Sequence, residues 1–108
     1  LSIIDLEDRS DQPFNYNGKT IIFNGEIYNY LEVKENLEKL GHKFITKSDT
    51  EVLIHALDEW GDKALNKCEG MWAFALYDEK TQTLTLSRDP FGEKPLYIYE
   101  PEQGEFYF

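Results

Sequence analysis

Cysteine, basic residues and long apolar runs are scarce in this 108-residue chain. A single cysteine, Cys68, excludes a disulfide within the chain and is typical of a protein of the reducing cytoplasm. The 11 basic residues against 21 acidic ones leave a formal net charge of −10, which argues against binding nucleic acid or an anionic membrane surface. No apolar run approaches the roughly 18 residues of a membrane span, and no signal-like start is present.

The spacings typical of metal and phosphate sites are also absent from the sequence. No set of His, Cys, Asp and Glu residues resembles a metal site, and no glycine-rich phosphate loop occurs. His42, His55 and Cys68 suggest a Cys–His catalytic pair, but no nucleophile signature surrounds them. We therefore expect Cys68 to be a structural thiol and both histidines to be surface or half-buried residues.

The chain does have the apolar content and the strand–helix alternation of one small packed domain, with 41% hydrophobic and 15% aromatic residues. The predicted strands are residues 1–6, 20–23, 43–46, 71–77, 83–87, 96–99 and 105–108, with a polar loop over 7–18. This order predicts an α+β fold with helices on one face of a largely antiparallel sheet. Residues 20–23 and 71–77 are apolar at successive positions, so we expect both of their faces to be covered, the latter by a second sheet.

Two amphipathic helices are predicted between the strands. The first covers residues 30–40, is capped by Asn29 and ends at a left-handed Gly41, and its apolar stripe is Tyr30, Val33, Leu37 and Leu40. The second follows Ser48-Asp49-Thr50-Glu51, a capping-box pattern, and continues to Trp60 before Gly61. A short helical stretch over 62–67 comes next.

The segment FNGEIYNY, residues 23–30, places Asn, Gly and Glu where a strand is predicted to end. The Asn24 carboxamide and the Gly25 N–H are two neutral donors, which together can stabilise the oxyanion of an acyl-transfer intermediate. Glu26 and, further along, Asp49 are carboxylates that can hold a cationic group of the same substrate. A plain Asn-Gly turn and a plain helix cap are the alternative interpretation of these residues.

Five segments stand out in chain order: LSIIDL, FNGEIYNY, SDTEVL, GMWAFALYD and SRDPFGEKPLY, which together extend from Leu1 to about Tyr99. They resemble the class II glutamine amidotransferase domain found in glutamine-hydrolysing asparagine synthetases. The most specific are NGEIYN and RDPFGEKPLY. Glu26 after Asn-Gly and the RDPFGEKPLY run favour this branch over relatives that make glucosamine phosphate or phosphoribosylamine. The resemblance implies the layered αββα sandwich of N-terminal-nucleophile hydrolases, incomplete at its N-terminus because the chain starts at Leu1.

The resemblance also implies a role for individual residues. Asn24 and Gly25 would form the oxyanion hole, and Glu26 and Asp49 would hold the α-ammonium group of glutamine. The backbone that lines the glutamine side chain would be that of Leu1, Ser2, Ile3 and Ile4. The family's N-terminal cysteine nucleophile, and an arginine that binds the α-carboxylate, are expected before Leu1. The 108 residues alone are therefore expected to be inactive.

In the complete protein, the resemblance implies glutamine hydrolysis that supplies ammonia for ATP-dependent synthesis of asparagine from aspartate. A synthetase domain of the same chain would follow residue 108 and would use ATP and magnesium, whereas this segment would need no cofactor. A homodimer is left open. The alternatives are a relative that uses glutamine ammonia on another carboxylic acid, and a non-catalytic remnant that binds glutamine weakly or packs against a partner.

Overall fold

The computed structural model describes residues 12–88 and 96–99. These residues form a five-stranded antiparallel sheet, in chain order β1-β2-β3-β4-β5, with helices between β2 and β3. The elements are β1 (Phe14–Tyr16), β2 (Lys19–Ile27), α1 (Tyr30–Lys39), α2 (Asp49–Trp60), a 3₁₀ turn (Gly61–Lys63), α3 (Ala64–Lys67), β3 (Gly70–Asp78), β4 (Thr83–Arg88) and β5 (Leu96–Tyr99). The predicted α+β class is confirmed. The predicted strands over 1–6 and 105–108 lie outside the described residues.

The polar loop predicted over 7–18 is wrong in part, because Phe14–Tyr16 form strand β1. Asn17 and Gly18 are the two-residue turn that returns the chain into β2, with φ of 49° and 78°. Positive φ at both positions is the geometry that matches the twist of a hairpin. Phe14 anchors this strand, since it is only 7% exposed.

The sequence predicts that strand β2 ends at Phe23, which is wrong, because the strand continues through the Asn-Gly-Glu segment to Ile27. Asn24 pairs with Ala73, Gly25 with Trp72 and Glu26 with Met71 of β3. This continuation requires glycine, because a Cβ on Gly25 would lie 2.2 Å from the Met71 carbonyl oxygen. The alternative interpretation of Asn24-Gly25 as a plain turn is wrong, since both residues lie within β2 and helix α1 follows that strand.

One face of the sheet packs on the helices and forms the core. Strand residues point alternately to the two faces. The buried core residues on β2, β3, α1 and α2 are Ile21, Phe23, Ile27, Trp72, Phe74, Leu76, Val33, Leu37, Val52, Leu53, Ile54, Ala56 and Leu57. On the other face Ile22 is 57% and Met71 62% exposed, so this chain by itself does not bury both faces at these positions, contrary to the prediction.

Helix α1 follows the predicted pattern for most of its length. Val33 and Leu37 are buried, but Leu40 is 55% exposed because the helix ends at Lys39 and the chain turns at Gly41, whose φ is +100°. Asn29 makes no side-chain cap, contrary to prediction. None of the helices within residues 12–88 and 96–99 has the length and apolar character to cross a membrane.

Residues 43–46, predicted as a strand, have no regular structure. The N–H groups of Ile45 and Thr46 donate to the Glu51 carboxylate, at 2.9 and 2.7 Å, instead of to a neighbouring strand. Helix α2 has its predicted bounds, and its Ser48 cap accepts from the Glu51 N–H at 3.3 Å. Only the Ser48 half of the predicted capping box therefore forms, because the Glu51 carboxylate accepts from the N–H groups of residues 45 and 46.

Candidate active site

The Asn-Gly-Glu segment lies where β2 passes beyond the end of its neighbour β1. Strand β1 pairs with residues 19–21 of β2. At Phe23 the main chain of β1 is replaced by the Gln12 carboxamide, which accepts from the Phe23 N–H at 2.7 Å and donates to the Phe23 carbonyl at 2.6 Å. At Ile27 the N–H donates to Asp49 Oδ2 at 3.1 Å. The edge of β2 is thus held by side chains on both sides of Gly25.

Strand geometry gives the direction of the Gly25 N–H. In an antiparallel strand, the main-chain polar groups of alternate residues point to the same edge. Phe23 and Ile27 both use this edge, so Gly25 between them directs its N–H to the same side. Asn24 and Glu26 have their side chains on the sheet face opposite to Phe23 and Ile27, where Asn24 is half-buried and Glu26 exposed. The two predicted donors of the oxyanion hole are therefore adjacent, one on the strand edge and one on the open face.

Asp49 is the first residue of helix α2, and the helix carries it to the strand edge. Its carboxylate bonds to Ile27, the residue after Glu26, so the structure brings Asp49 next to the segment that carries the other predicted ammonium ligand. A carboxylate in this first turn is also stabilised by the helix dipole. That Glu26 and Asp49 bracket one ammonium group stays a prediction. Residues 1–4, the predicted backbone lining, lie outside the described residues.

Asn29 has a role that its sequence position does not reveal. Its Nδ2 donates to the Lys67 carbonyl at 2.9 Å, and its Oδ1 accepts from the Glu69 N–H at 2.8 Å. The Tyr28 N–H also donates to the Glu69 carbonyl. These bonds tie the exit of β2 to the entrance of β3, next to Gly70. A Cβ on Gly70 would lie 2.0 Å from the Glu26 carbonyl oxygen, so the two strands approach closely at Glu26.

His42 and His55 contact each other. The expectation that His55 is a surface or half-buried residue is wrong. His55 is 1% exposed and its ring stacks on Tyr16 with centroids 3.8 Å apart. Its Nδ1 lies 2.8 Å from His42 Nδ1, and His42 Nε2 lies 2.7 Å from Glu59 Oε1. Burial lowers the pKa of His55 below its ordinary value; the Glu51 carboxylate opposes this shift and His42 adds to it.

Cys68 is fully buried, as a structural thiol would be. Among residues 12–88 and 96–99, no group of three or more His, Cys, Asp and Glu side chains is placed to hold a metal ion.

Gln12 and Asn29 are residues of the candidate site that the sequence does not reveal as such. Gln12 stands in a polar segment with no distinguishing pattern, whereas Asn29 belongs to the specific NGEIYN motif, where its position before a helix predicts a cap.

A family model described as "Glutamine amidotransferase domain" matches residues 1–108, and the chain belongs to that family. It is 47% identical to asparagine synthetase [glutamine-hydrolyzing] 1 of Bacillus subtilis, over all of this chain and 17% of that protein. It is 40% identical to asparagine synthetase [glutamine-hydrolyzing] 3 of the same bacterium, over all of this chain and 18% of that protein. The predicted resemblance to the asparagine synthetase form is confirmed.

A solved structure shows the same fold. The B. subtilis glutamine phosphoribosylpyrophosphate amidotransferase, complexed with ADP and GMP, superimposes with a TM-score of 0.61 at 32% identity. The match covers 75% of this chain and 20% of that one. The predicted N-terminal-nucleophile type of layered sandwich is confirmed, and the described residues contribute a sheet and a helical layer to it. The chain spans less than a fifth of the length of the two curated synthetases, 17% and 18%.

Proposed function

We propose that this chain belongs to the glutamine-hydrolysing domain of a protein that makes asparagine from aspartate with ATP. The carrying observation is the β2 edge, where the Gly25 N–H points between the Gln12 carboxamide and the Asp49 carboxylate, with Asn24 and Glu26 on either side of it in the chain. Such an edge presents hydrogen-bond donors and carboxylates within a few residues of one another. An amino acid with a carboxamide side chain needs both at once.

The Asn24 carboxamide and the Gly25 N–H stabilise the oxyanion that forms when the glutamine carboxamide is attacked. Donors fixed in place before the reaction favour the transition state over bound glutamine, because charge on this oxygen develops during attack. The nucleophile is the family's N-terminal cysteine in the complete protein. Cys68 is unsuited to that role, since it is fully buried in the core.

Glu26 and Asp49 bind the α-ammonium group of glutamine. Two carboxylates that share one cation form charge-assisted hydrogen bonds, which are stronger than neutral ones. The backbone of Leu1, Ser2, Ile3 and Ile4 lines the aliphatic part of glutamine. The chain's net charge of −10 gives no general attraction for the substrate α-carboxylate, so the arginine expected before Leu1 supplies that contact.

The ammonia passes to a synthetase domain of the same chain, which activates the aspartate carboxylate with ATP and magnesium. The site proposed here uses no cofactor of its own, and the protein acts in the cytoplasm. The names and lengths of the two B. subtilis relatives support this assignment, since they are glutamine-hydrolysing synthetases of which this chain covers 17% and 18%.

The test is an assay of the complete protein with glutamine, aspartate and ATP. We expect glutamate and asparagine to be released in step, and added ammonium to replace glutamine in asparagine formation. Glutamate release without asparagine formation would support the glutaminase role but refute aspartate as the acceptor. A complete protein that releases no glutamate would refute the proposal.

A further inference from the structure

The Gln12 side chain takes the place of a strand residue at the edge of β2. Phe14 pairs with Ile21 in the β1–β2 ladder, so continuing this register by two residues would set Gln12 opposite Phe23. At that point the carboxamide, not the main chain, makes both bonds to Phe23, at 2.7 and 2.6 Å. A carboxamide can do this because it carries a donor and an acceptor in the same arrangement as a peptide group.

These bonds fix the main chain one residue before Asn24. On the other side, Asp49 fixes Ile27, one residue after Glu26. Asn24, Gly25 and Glu26 are therefore held between two side-chain contacts on this edge, in addition to their pairing with β3. Loss of the Gln12 contact removes the two side-chain bonds that fix the main chain just before Asn24.

We propose that Gln12 is a positioning residue of the oxyanion hole. It acts through Phe23, and it sets the direction in which the Gly25 N–H and the Asn24 carboxamide point. This inference rests on the proposed glutaminase function. A positioning role affects the step in which the oxyanion forms more than the binding of glutamine, because the donors matter most once the oxygen is charged.

The first experiment compares Gln12→Leu with wild type in the complete protein. Leu fills a similar volume but makes neither bond to Phe23. We expect kcat for glutamate release to fall about 10- to 100-fold, because a shift of the oxyanion-hole donors by about 1 Å can cost up to about 100-fold in rate. KM for glutamine should stay within about twofold, and ammonia-dependent asparagine formation should be unchanged.

Thr20→Val is the matched control. It removes an exposed bond from Thr20 to Asn15 in the same hairpin, at 2.7 Å, away from the Asn-Gly-Glu segment. It should leave kcat and KM at the wild-type values. A second readout is the ¹⁵N–¹H signal of Gly25, which should shift in Gln12→Leu and stay in place in Thr20→Val.

Gln12→Glu keeps the test decisive if Gln12→Leu does not fold. An ionised Glu still accepts from the Phe23 N–H, but its second oxygen faces the Phe23 carbonyl. A protonated Glu donates to that carbonyl, as Gln does. The ratio of variant to wild-type kcat should therefore rise as pH falls from about 8 to about 5, across the protonation of a carboxyl group.

The outcomes separate this inference from the proposed function. A wild-type protein without glutaminase activity overturns both. An active wild type with a folded Gln12→Leu variant of normal kcat overturns only the role of Gln12, as does a Gln12→Glu ratio that is flat with pH. A fall in ammonia-dependent synthesis equal to the fall in glutamate release would show general damage and would also overturn the positioning role.

Discussion

The Asp49 carboxylate accepts the main-chain N–H of Ile27 at 3.1 Å, which joins the first residue of helix α2 to the strand of the Asn-Gly-Glu segment. Helix and strand are 22 residues apart in sequence at this contact. The carboxylate therefore has two tasks in the proposed site, one in the fold and one toward the substrate ammonium group. The two tasks differ in what they require, since a neutral oxygen can still accept from the Ile27 N–H, whereas holding an ammonium group requires the negative charge.

Asp49→Asn separates these tasks in the complete protein. The amide oxygen of Asn can still accept from the Ile27 N–H, so the free energy of unfolding should change by less than about 1 kcal/mol. The negative charge is lost, and KM for glutamine should rise at least tenfold, about 1.4 kcal/mol, with a smaller effect on kcat. Steady-state glutamate release over a range of glutamine concentrations measures both constants.

Asp62→Asn is the control, because Asp62 is an exposed acid in the 3₁₀ turn that follows α2. It removes the same charge from the surface and should leave KM unchanged. If both variants raise KM equally, the effect comes from net charge and Asp49 is not a ligand of glutamine.

Asn24→Ala tests the oxyanion hole. Loss of one donor should lower kcat for glutamine hydrolysis by roughly 10²–10³, about 2.7–4 kcal/mol of transition-state stabilisation. KM should change much less, because the donor is weakly used while the substrate oxygen is neutral. Glutamate release by the two proteins is the measurement, and equal rates would remove Asn24 from the mechanism.

Gly70→Ala tests the close approach of β3 to Glu26. An added Cβ would lie 2.0 Å from the Glu26 carbonyl oxygen, a main-chain atom that can move only if the strand moves. We expect a loss of about 3 kcal/mol or more in the free energy of unfolding. Gly41→Ala is the matched control: its φ of +100° disfavours Ala, but no atom lies within 4 Å of the added Cβ. It should cost about 1–2 kcal/mol, and an equal cost at both sites would contradict the close approach.

The buried His55 predicts how stability depends on pH. Burial lowers its folded-state pKa, so below an ordinary value of about 6.5 the unfolded chain takes up a proton before the folded one does. The contribution of the neutral His55 to the free energy of unfolding is fully present above about pH 6.5. It is lost as the pH falls toward the lower folded-state pKa, by at most about 1.4 kcal/mol per pH unit. Denaturant unfolding of wild type and His55→Gln between pH 7.5 and 5.5 measures this. Equal slopes for the two proteins would show that His55 does not titrate differently on folding.

Several features of the fold could be predicted because they depend on neighbours in the sequence. Helix α2 begins after Ser48 and ends at Gly61, where the capping pattern and the glycine place its ends. Strands β3 and β4 follow from apolar and β-branched runs around a turn. The proposed site is predicted from the Asn-Gly-Glu motif, because the residue types that suit its chemistry can be recognised in the sequence whether or not the strand ends there.

The sequence by itself determined the family, the two long helices, strands β3 and β4, and the residue types of the proposed site. Only the tertiary structure decided which groups satisfy which polar atoms. Asn29 bonds to residues 38 and 40 positions away, and Gln12 to a residue 11 positions away, where neither had a local signal. The predicted strand over 43–46 failed because the buried Glu51 carboxylate takes the N–H groups that a strand would have used. A buried hydrogen-bonding group must find some partner, but which partner lies within reach depends on how distant segments pack.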